Sequence, residues 1–304
     1  MRYVSFEYRQ SRARAWGLES GDQVIDLQAA GKVLGIEFPP TLVQFIGMGR
    51  EAWPRAEAAM KAVKAGKAQQ HVHGRDLVRL LAPILRPPKN IFALGPNYAA
   101  HVAEDGPDRD LPRVPVYFSK AATAIIGPDE PAIADPRLTN QMDWEAELGV
   151  VVGVGGRWIP REKALEHVFG YTIIIDLTAR DQQADRPEGQ WFLGKSLDTF
   201  CPMGPALVSA DEIVDPQCLD LSLRVNGIEK QSANTRQMIF SVAAIIADLS
   251  QYITLEPGDV ITTGTPKGGG WAQTPPQFLH PGDVVEAKIG RIGLLRTPIK
   301  GPSS

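Results

Sequence analysis

The sequence predicts a β-rich α+β chain, with a small N-terminal α/β unit over residues 1–75 and a larger domain of strands and long loops over residues 76–304. Three observations predict it. Near the N-terminus Val4, Phe6 and Tyr8 alternate with Ser5 and Glu7, the period of a strand. From Ile91 onward short apolar runs are cut by Gly and Pro, and most of the 29 glycines lie there, which suits strands joined by loops. The best helix, residues 238–252, places Ile239, Val242, Ile245, Ile246 and Leu249 at helical spacing.

In chain order, Ala15, Gly17 and Leu18 lead into a Ser20-Gly21-Asp22 turn, and Val24-Ile25-Asp26-Leu27 resumes a strand, giving an N-terminal β-hairpin. Residues 41–47 and 52–65 have helical spacing, the second rich in Ala, Lys and Glu. Residues 79–85 read as a strand, and Arg86-Pro87-Pro88-Lys89 as a stiff connector. Beyond it, strands are expected at 116–118, 146–152, 171–176, 221–225, 260–263 and 284–289.

Composition excludes several classes of function. The 43% of apolar residues can fill a sizeable core, yet no run reaches the ~18 apolar residues of a membrane-spanning helix. Thirty-two basic against 35 acidic side chains leave a formal charge of −3, so no basic field exists to attract nucleic acid. Cys201 and Cys218 form neither a disulfide framework nor a CxxC pair, and the N-terminus lacks the apolar core of a signal peptide. The expectation is a reduced, cytoplasmic setting.

The chemically informative stretch is Asp143-Trp144-Glu145-Ala146-Glu147-Leu148. In a strand, residues two apart share a face, so Glu145 and Glu147 project together and Trp144, Ala146 and Leu148 oppose them. A third acid, Asp176, ends the apolar run from Tyr171. Buried carboxylates must be paired or hold a cation. An all-oxygen set without a nearby His or Cys cluster suits Mg²⁺ or Mn²⁺ better than zinc. Spacing alone favours a solvated strand face with a capping aspartate.

Several blocks in a fixed order resolve that choice. They are Asn97-Tyr98-Ala99-Ala100-His101-Val102-Ala103-Glu104, Pro115-Val116-Tyr117-Phe118-Ser119-Lys120, Glu145-Ala146-Glu147-Leu148, and Gly170-Tyr171-Thr172 through Asp176 to Ala179-Arg180-Asp181. Gly194-Lys195-Ser196-Leu197-Asp198, Asn226-Gly227, Pro257-Gly258-Asp259 and Thr263-Gly264-Thr265-Pro266 follow. Together they make residues 81–298 resemble the fumarylacetoacetate hydrolase family. The resemblance implies a β-roll catalytic domain, Mg²⁺ or Mn²⁺ on Glu145, Glu147 and Asp176, a homodimer, and a His101–Glu104 pair on a short helix closing over the site. Three departures stand out: Ile175 where the family usually has Asn, Thr178 where Ser is common, and Gly268-Gly269-Gly270 where Gly-Val-Gly is usual. The first implies a lost hydrogen bond beside the metal, and the last a looser loop.

The implied chemistry begins with a small 2-oxo or 1,3-dicarbonyl acid chelated to the ion, which acts as a Lewis acid and stabilises an enolate. Lys195 balances the charge of three carboxylates, Arg180 holds the substrate carboxylate, and the hydroxyl or N–H of Thr265 meets a substrate oxygen. Glu104, three residues after His101, orients an imidazole that activates water. The first expectation is therefore hydrolysis of a carbon–carbon bond in an acylpyruvate. Decarboxylation or keto–enol tautomerisation of a 2-oxo acid such as oxaloacetate uses the same ligands and stays open, as does a non-enzymatic metabolite-binding module. Gly189 to Ser196 matches a P-loop by letter, but polar residues 180–188 precede it and Pro202 soon follows, so nucleotide binding is set aside. His71-Val72-His73 is read as a strand or linker feature, and Cys201 as packing.

Overall fold

The computed structural model describes residues 1–106, 109–184 and 189–302. The alternating N-terminal segments form antiparallel strands Arg2–Tyr8, Arg14–Ser20 and Gln23–Asp26. Leu27, expected to continue the third strand, instead opens the helix Leu27–Leu34. The Asp26 carboxylate accepts the Ala29 N–H at 2.9 Å, and Gly35 at φ 70° closes the other end. Thr41 and Gln44 form a capping box on helix Leu42–Gly47, and Pro54 opens helix Pro54–Lys64.

These strands do not form a separate sheet. Arg2–Tyr8 pairs with Cys201–Ser209, which pairs with Val168–Ile175, then Ala146–Val152, Val260–Thr262, Ile91–Leu94 and Tyr117–Lys120. Tyr3, Trp16 and Phe45 share a core with Val151, Phe169, Ile174 and Met203. Residues 1–75 and the later strands are thus joined by backbone hydrogen bonds and by apolar packing across position 75. A five-stranded sheet, running Ile228–Asn234, Asp220–Val225, Val284–Ile289, Gly293–Lys300 and Ala132–Ile133, contributes to a second core with Ala146, Leu148, Ile173 and Ile175.

Helix Val242–Tyr252 begins four residues later than the spacing suggests. The Ser241 hydroxyl caps it through the Ala244 N–H, and Phe240 is diverted because its N–H donates to Asn97 Oδ1 at 2.7 Å. Cys201–Ser209 contains Pro202, Gly204 and Pro205 and reads poorly as a strand, yet neighbours on both sides pair with it. Among the described residues, no helix is long and apolar enough to cross a membrane.

Candidate metal centre and active site

Strand Ala146–Val152 pairs with Val168–Ile175 in the register Ala146↔Ile175 and Glu147↔Ile174. The Asp176 N–H donates to the Glu145 carbonyl at 2.8 Å, so the two strand ends stay together. Alternation then puts Glu145, Glu147 and Asp176 on one face, and Trp144, Ala146, Leu148 and Ile175 in the core behind. Each of the three acids offers an oxygen, and these oxygens lie within 4.8 Å of one another, all buried. Ile175 points away from the acids, so its apolar side chain removes no contact to them in this fold.

Among the described residues, three cationic side chains contact the acids. Lys195 Nζ lies 2.7 Å from Glu145 and 3.0 Å from Asp176. Lys120 Nζ donates to Asp176 at 2.6 Å, to the Leu177 carbonyl and to the Lys195 carbonyl. Arg180 Nη2 donates to Glu145 at 2.6 Å. Burial opposes the charge on Glu145, but Lys195, Arg180 and His101 outweigh it and hold the carboxyl at about 2. Glu147 goes the other way: burial, then Asp176 and Glu145, push it up to about 8. Burial alone would discharge Lys195, but Asp176 and Glu145 keep its ammonium above the ordinary range.

The site fits a divalent cation on one observation in particular. Glu147 Oε2 accepts the Gly264 N–H at 2.7 Å and the Thr262 hydroxyl, while its Oε1 is buried with no partner among the described residues. An unpartnered carboxylate oxygen among other carboxylates can be satisfied by a hard cation, and an all-oxygen donor set of this kind could hold a divalent metal.

His101 lies in the short helix Ala99–Val102, and Glu104 in the following turn. Glu104 Oε2 meets His101 Nδ1 at 2.7 Å, and its Oε1 accepts the Gly268 N–H at 2.7 Å. A carboxylate accepting on both oxygens requires Nδ1 to carry the proton, which leaves Nε2 as a base. The Gly268–Gly270 loop is not loose. The Trp144 indole donates to the Gly268 carbonyl at 3.1 Å, and the Gly270 N–H donates to Asp143 at 2.6 Å. A Cβ would meet the Lys230 carbonyl at 2.0 Å on Gly268, which has φ +106°, and the Gln277 carbonyl at 2.1 Å on Gly270.

Arg180 is more committed than a dedicated substrate clamp. It divides its donors among Asp143, Glu145 and Gln183, leaving only the remaining N–H groups of the fork for a ligand. The Thr265 hydroxyl donates to the Ala146 carbonyl at 3.1 Å and accepts from Gln231 at 2.9 Å, so its proton is not free for substrate. Sequence reasoning passed over Asp143 and Gln231. Asp143 stands two before Glu145, so the same-face argument extended by one step finds it. Gln231 is on a strand distant in sequence, where it receives the Ala146 N–H at 2.9 Å, and no local pattern marks it.

His101, Glu145, Arg180, Lys195 and Thr265 line one cavity of about 490 Å³, with Phe118, Trp191 and Trp271 as its aromatic walls. The segment with P-loop lettering forms the short helix Trp191–Lys195, which brings Trp191 and Lys195 to this cavity. His73 is bonded to Tyr8 at 3.0 Å, and Cys201 is buried, which pushes its thiol up to about 12.

Residues 90–300 match the fumarylacetoacetate (FAA) hydrolase C-terminal family. The chain is 42% identical over 301 residues to a Xenopus laevis protein named oxaloacetate tautomerase fahd2, mitochondrial, covering 98% of this chain and 90% of the relative. It is 41% identical over 282 residues to the Bacillus subtilis oxaloacetate tautomerase YisK, covering 91% and 93%. Maleylpyruvate hydrolase from Sphingobium sp. SYK-6, solved in complex with manganese (II) ion and pyruvate, matches with a TM-score of 0.77 at 27% identity over all of both chains. With the motif blocks, the shared fold and near full-length relatives in agreement, the chain belongs to the fumarylacetoacetate hydrolase family.

Proposed function

We propose that this chain is a divalent-metal-dependent tautomerase that interconverts the keto and enol forms of oxaloacetate. The observation that carries the reading is a base, His101, locked in one tautomer by Glu104 and lining the same cavity as Glu145, Lys195 and Arg180. Two near full-length relatives named as oxaloacetate tautomerases support this substrate and reaction. They favour this reaction over the carbon–carbon hydrolysis that the sequence suggested first, although solved structures named as hydrolases match the chain at 38% and 27% identity.

Glu145, Glu147 and Asp176 would hold Mg²⁺ or Mn²⁺, which when bound supplies a Lewis acid beside the 2-oxo oxygen. The chain's own residues do the rest. With Glu147 ionised, as cation binding requires, four carboxylates, counting Asp143, against Lys120, Lys195 and Arg180 leave −1, which a divalent ion turns to +1 for an anionic acid. Lys195 and the unused N–H groups of Arg180 attract the substrate carboxylate. His101 Nε2 removes a proton from C3 of the keto form. The C–H electron pair becomes the C2=C3 bond, the carbonyl pair moves to oxygen, and the proton taken by His101 is passed to that oxygen, which completes the enol and regenerates the base; the reverse path restores the ketone. The homodimer and the cytoplasmic location belong to the same reading; light scattering and cell fractionation test them.

The decisive assay follows enol absorbance of oxaloacetate with Mg²⁺ or Mn²⁺, while pyruvate release and acylpyruvate cleavage are measured in parallel. Enol loss far faster than either is expected. Acylpyruvate cleavage outpacing tautomerisation would restore the hydrolase.

A further inference from the structure

We propose that Asp143 is a positioning residue that braces the metal ligands and the base pair against each other; this rests on the metal site proposed above and not on the choice of substrate. Asp143 ends the strand Met142–Asp143 and is fully buried. A buried carboxylate persists only when its lone pairs are occupied, and here each oxygen accepts twice. Oδ1 takes the Trp144 N–H at 2.7 Å and the Gly270 N–H at 2.6 Å. Oδ2 takes Arg180 Nε at 2.8 Å and the Trp271 N–H at 3.3 Å.

The two oxygens lead to different halves of the site. Through Arg180, whose Nη2 meets Glu145 at 2.6 Å, Asp143 sets how strongly a cationic side chain competes for a metal ligand. Shared between two carboxylates, the guanidinium leaves Glu145 available to an ion; with Glu145 alone, it would not. Through Gly270 and Trp271, Asp143 fixes the loop whose Gly268 N–H orients Glu104, which in turn holds His101. Trp271 also lies 5.7 Å from the Arg180 guanidinium, so both arms meet at one cavity wall. One carboxylate therefore keeps the base and the ion at a constant mutual position.

Asp143→Asn tests this at nearly constant volume. The amide has one accepting oxygen and one donating nitrogen, so either Arg180 or the loop loses its acceptor, and the site loses a negative charge in both cases. Mn²⁺ binding followed by electron paramagnetic resonance is expected to weaken by about 10- to 100-fold, the usual effect of losing a partner that orients a ligand. With ¹⁵N-histidine labelling, the His101 ring signals are expected to move. Mn²⁺ affinity within about twofold of wild type, or a weakened affinity with unmoved His101 signals, would overturn the brace. A second measurement needs no variant: with ¹⁵N-arginine labelling, the wild-type Arg180 Nε–H is expected to be protected from solvent exchange by Asp143, and free exchange overturns the proposal even if Asp143→Asn does not fold. Wild type that shows all these signatures but no oxaloacetate tautomerisation would sink the proposed reaction and leave the brace standing.

Discussion

Glu147→Gln should stabilise the metal-free protein while abolishing its response to metal. In the folded chain Glu147 sits at about 8 against its ordinary 4.5, because it is buried beside Asp176 and Glu145. A carboxyl raised on folding contributes stability that is full below pH 4.5 and is lost as pH climbs through about 8. At ~1.4 kcal/mol per pH unit of separation, the fully charged site burdens the metal-free fold by on the order of a few kcal/mol. The amide removes that burden. Its oxygen can still accept from Gly264 and Thr262, and its nitrogen can donate to the neighbouring acids where Oε1 has no partner among the described residues. Thermal melts in EDTA should therefore show little difference near pH 5 and a variant more stable than wild type above pH 8. With Mg²⁺ or Mn²⁺ the order should reverse, since ligand binding stabilises only the chain that binds. A variant that melts below wild type in EDTA at high pH, or that gains as much from Mn²⁺, would refute the reasoning.

Three further outcomes follow from the same geometry. Because Glu147 must shed a proton to take a cation, Mn²⁺ affinity should rise about tenfold per pH unit between pH 6 and 8 and level off above, with proton release seen by calorimetry in buffers of different ionisation heat; a flat profile would exclude this. His101→Asn should lower oxaloacetate tautomerisation by about 10²- to 10⁴-fold while Mn²⁺ affinity changes little, checked by kinetics and paramagnetic titration; equal loss of both would make His101 a binding residue. Lys195→Met leaves Glu145 and Asp176 short of a buried cation, so the metal-free protein should lose about 3–5 kcal/mol in denaturant unfolding, part of it restored by Mg²⁺; an unchanged midpoint would contradict the pairing.

Local pattern was enough for some of the fold and not for the rest. The strand Ala146–Val152 falls where an apolar run predicts it, and Val284–Ile289 where Val285, Ala287 and Ile289 alternate with Glu286 and Lys288. Cys201–Ser209 was obscured by its prolines and glycine, and it becomes a strand because partners on both sides supply its hydrogen bonds. Leu27 reads as strand because it is apolar, but the Asp26 cap immediately before it decides for helix. The rigidity of the Gly268–Gly270 loop could not be read from three glycines. It depends on Trp144, Asp143 and Glu104, more than a hundred residues away.

By itself the sequence determined which side chains come together locally: the two-residue period fixes Glu145 and Glu147 on one face, and the three-residue step from His101 to Glu104 makes them neighbours on a helical turn. Tertiary structure alone decided how those groups are charged and held. Asp176 joins the pair through a strand register, Lys120 and Lys195 arrive from separate segments, and Arg180 is shared between Asp143 and Glu145. The physical reason is range. A backbone period acts between near neighbours, whereas burial and pairing of a charge depend on what other elements bring within a few ångströms.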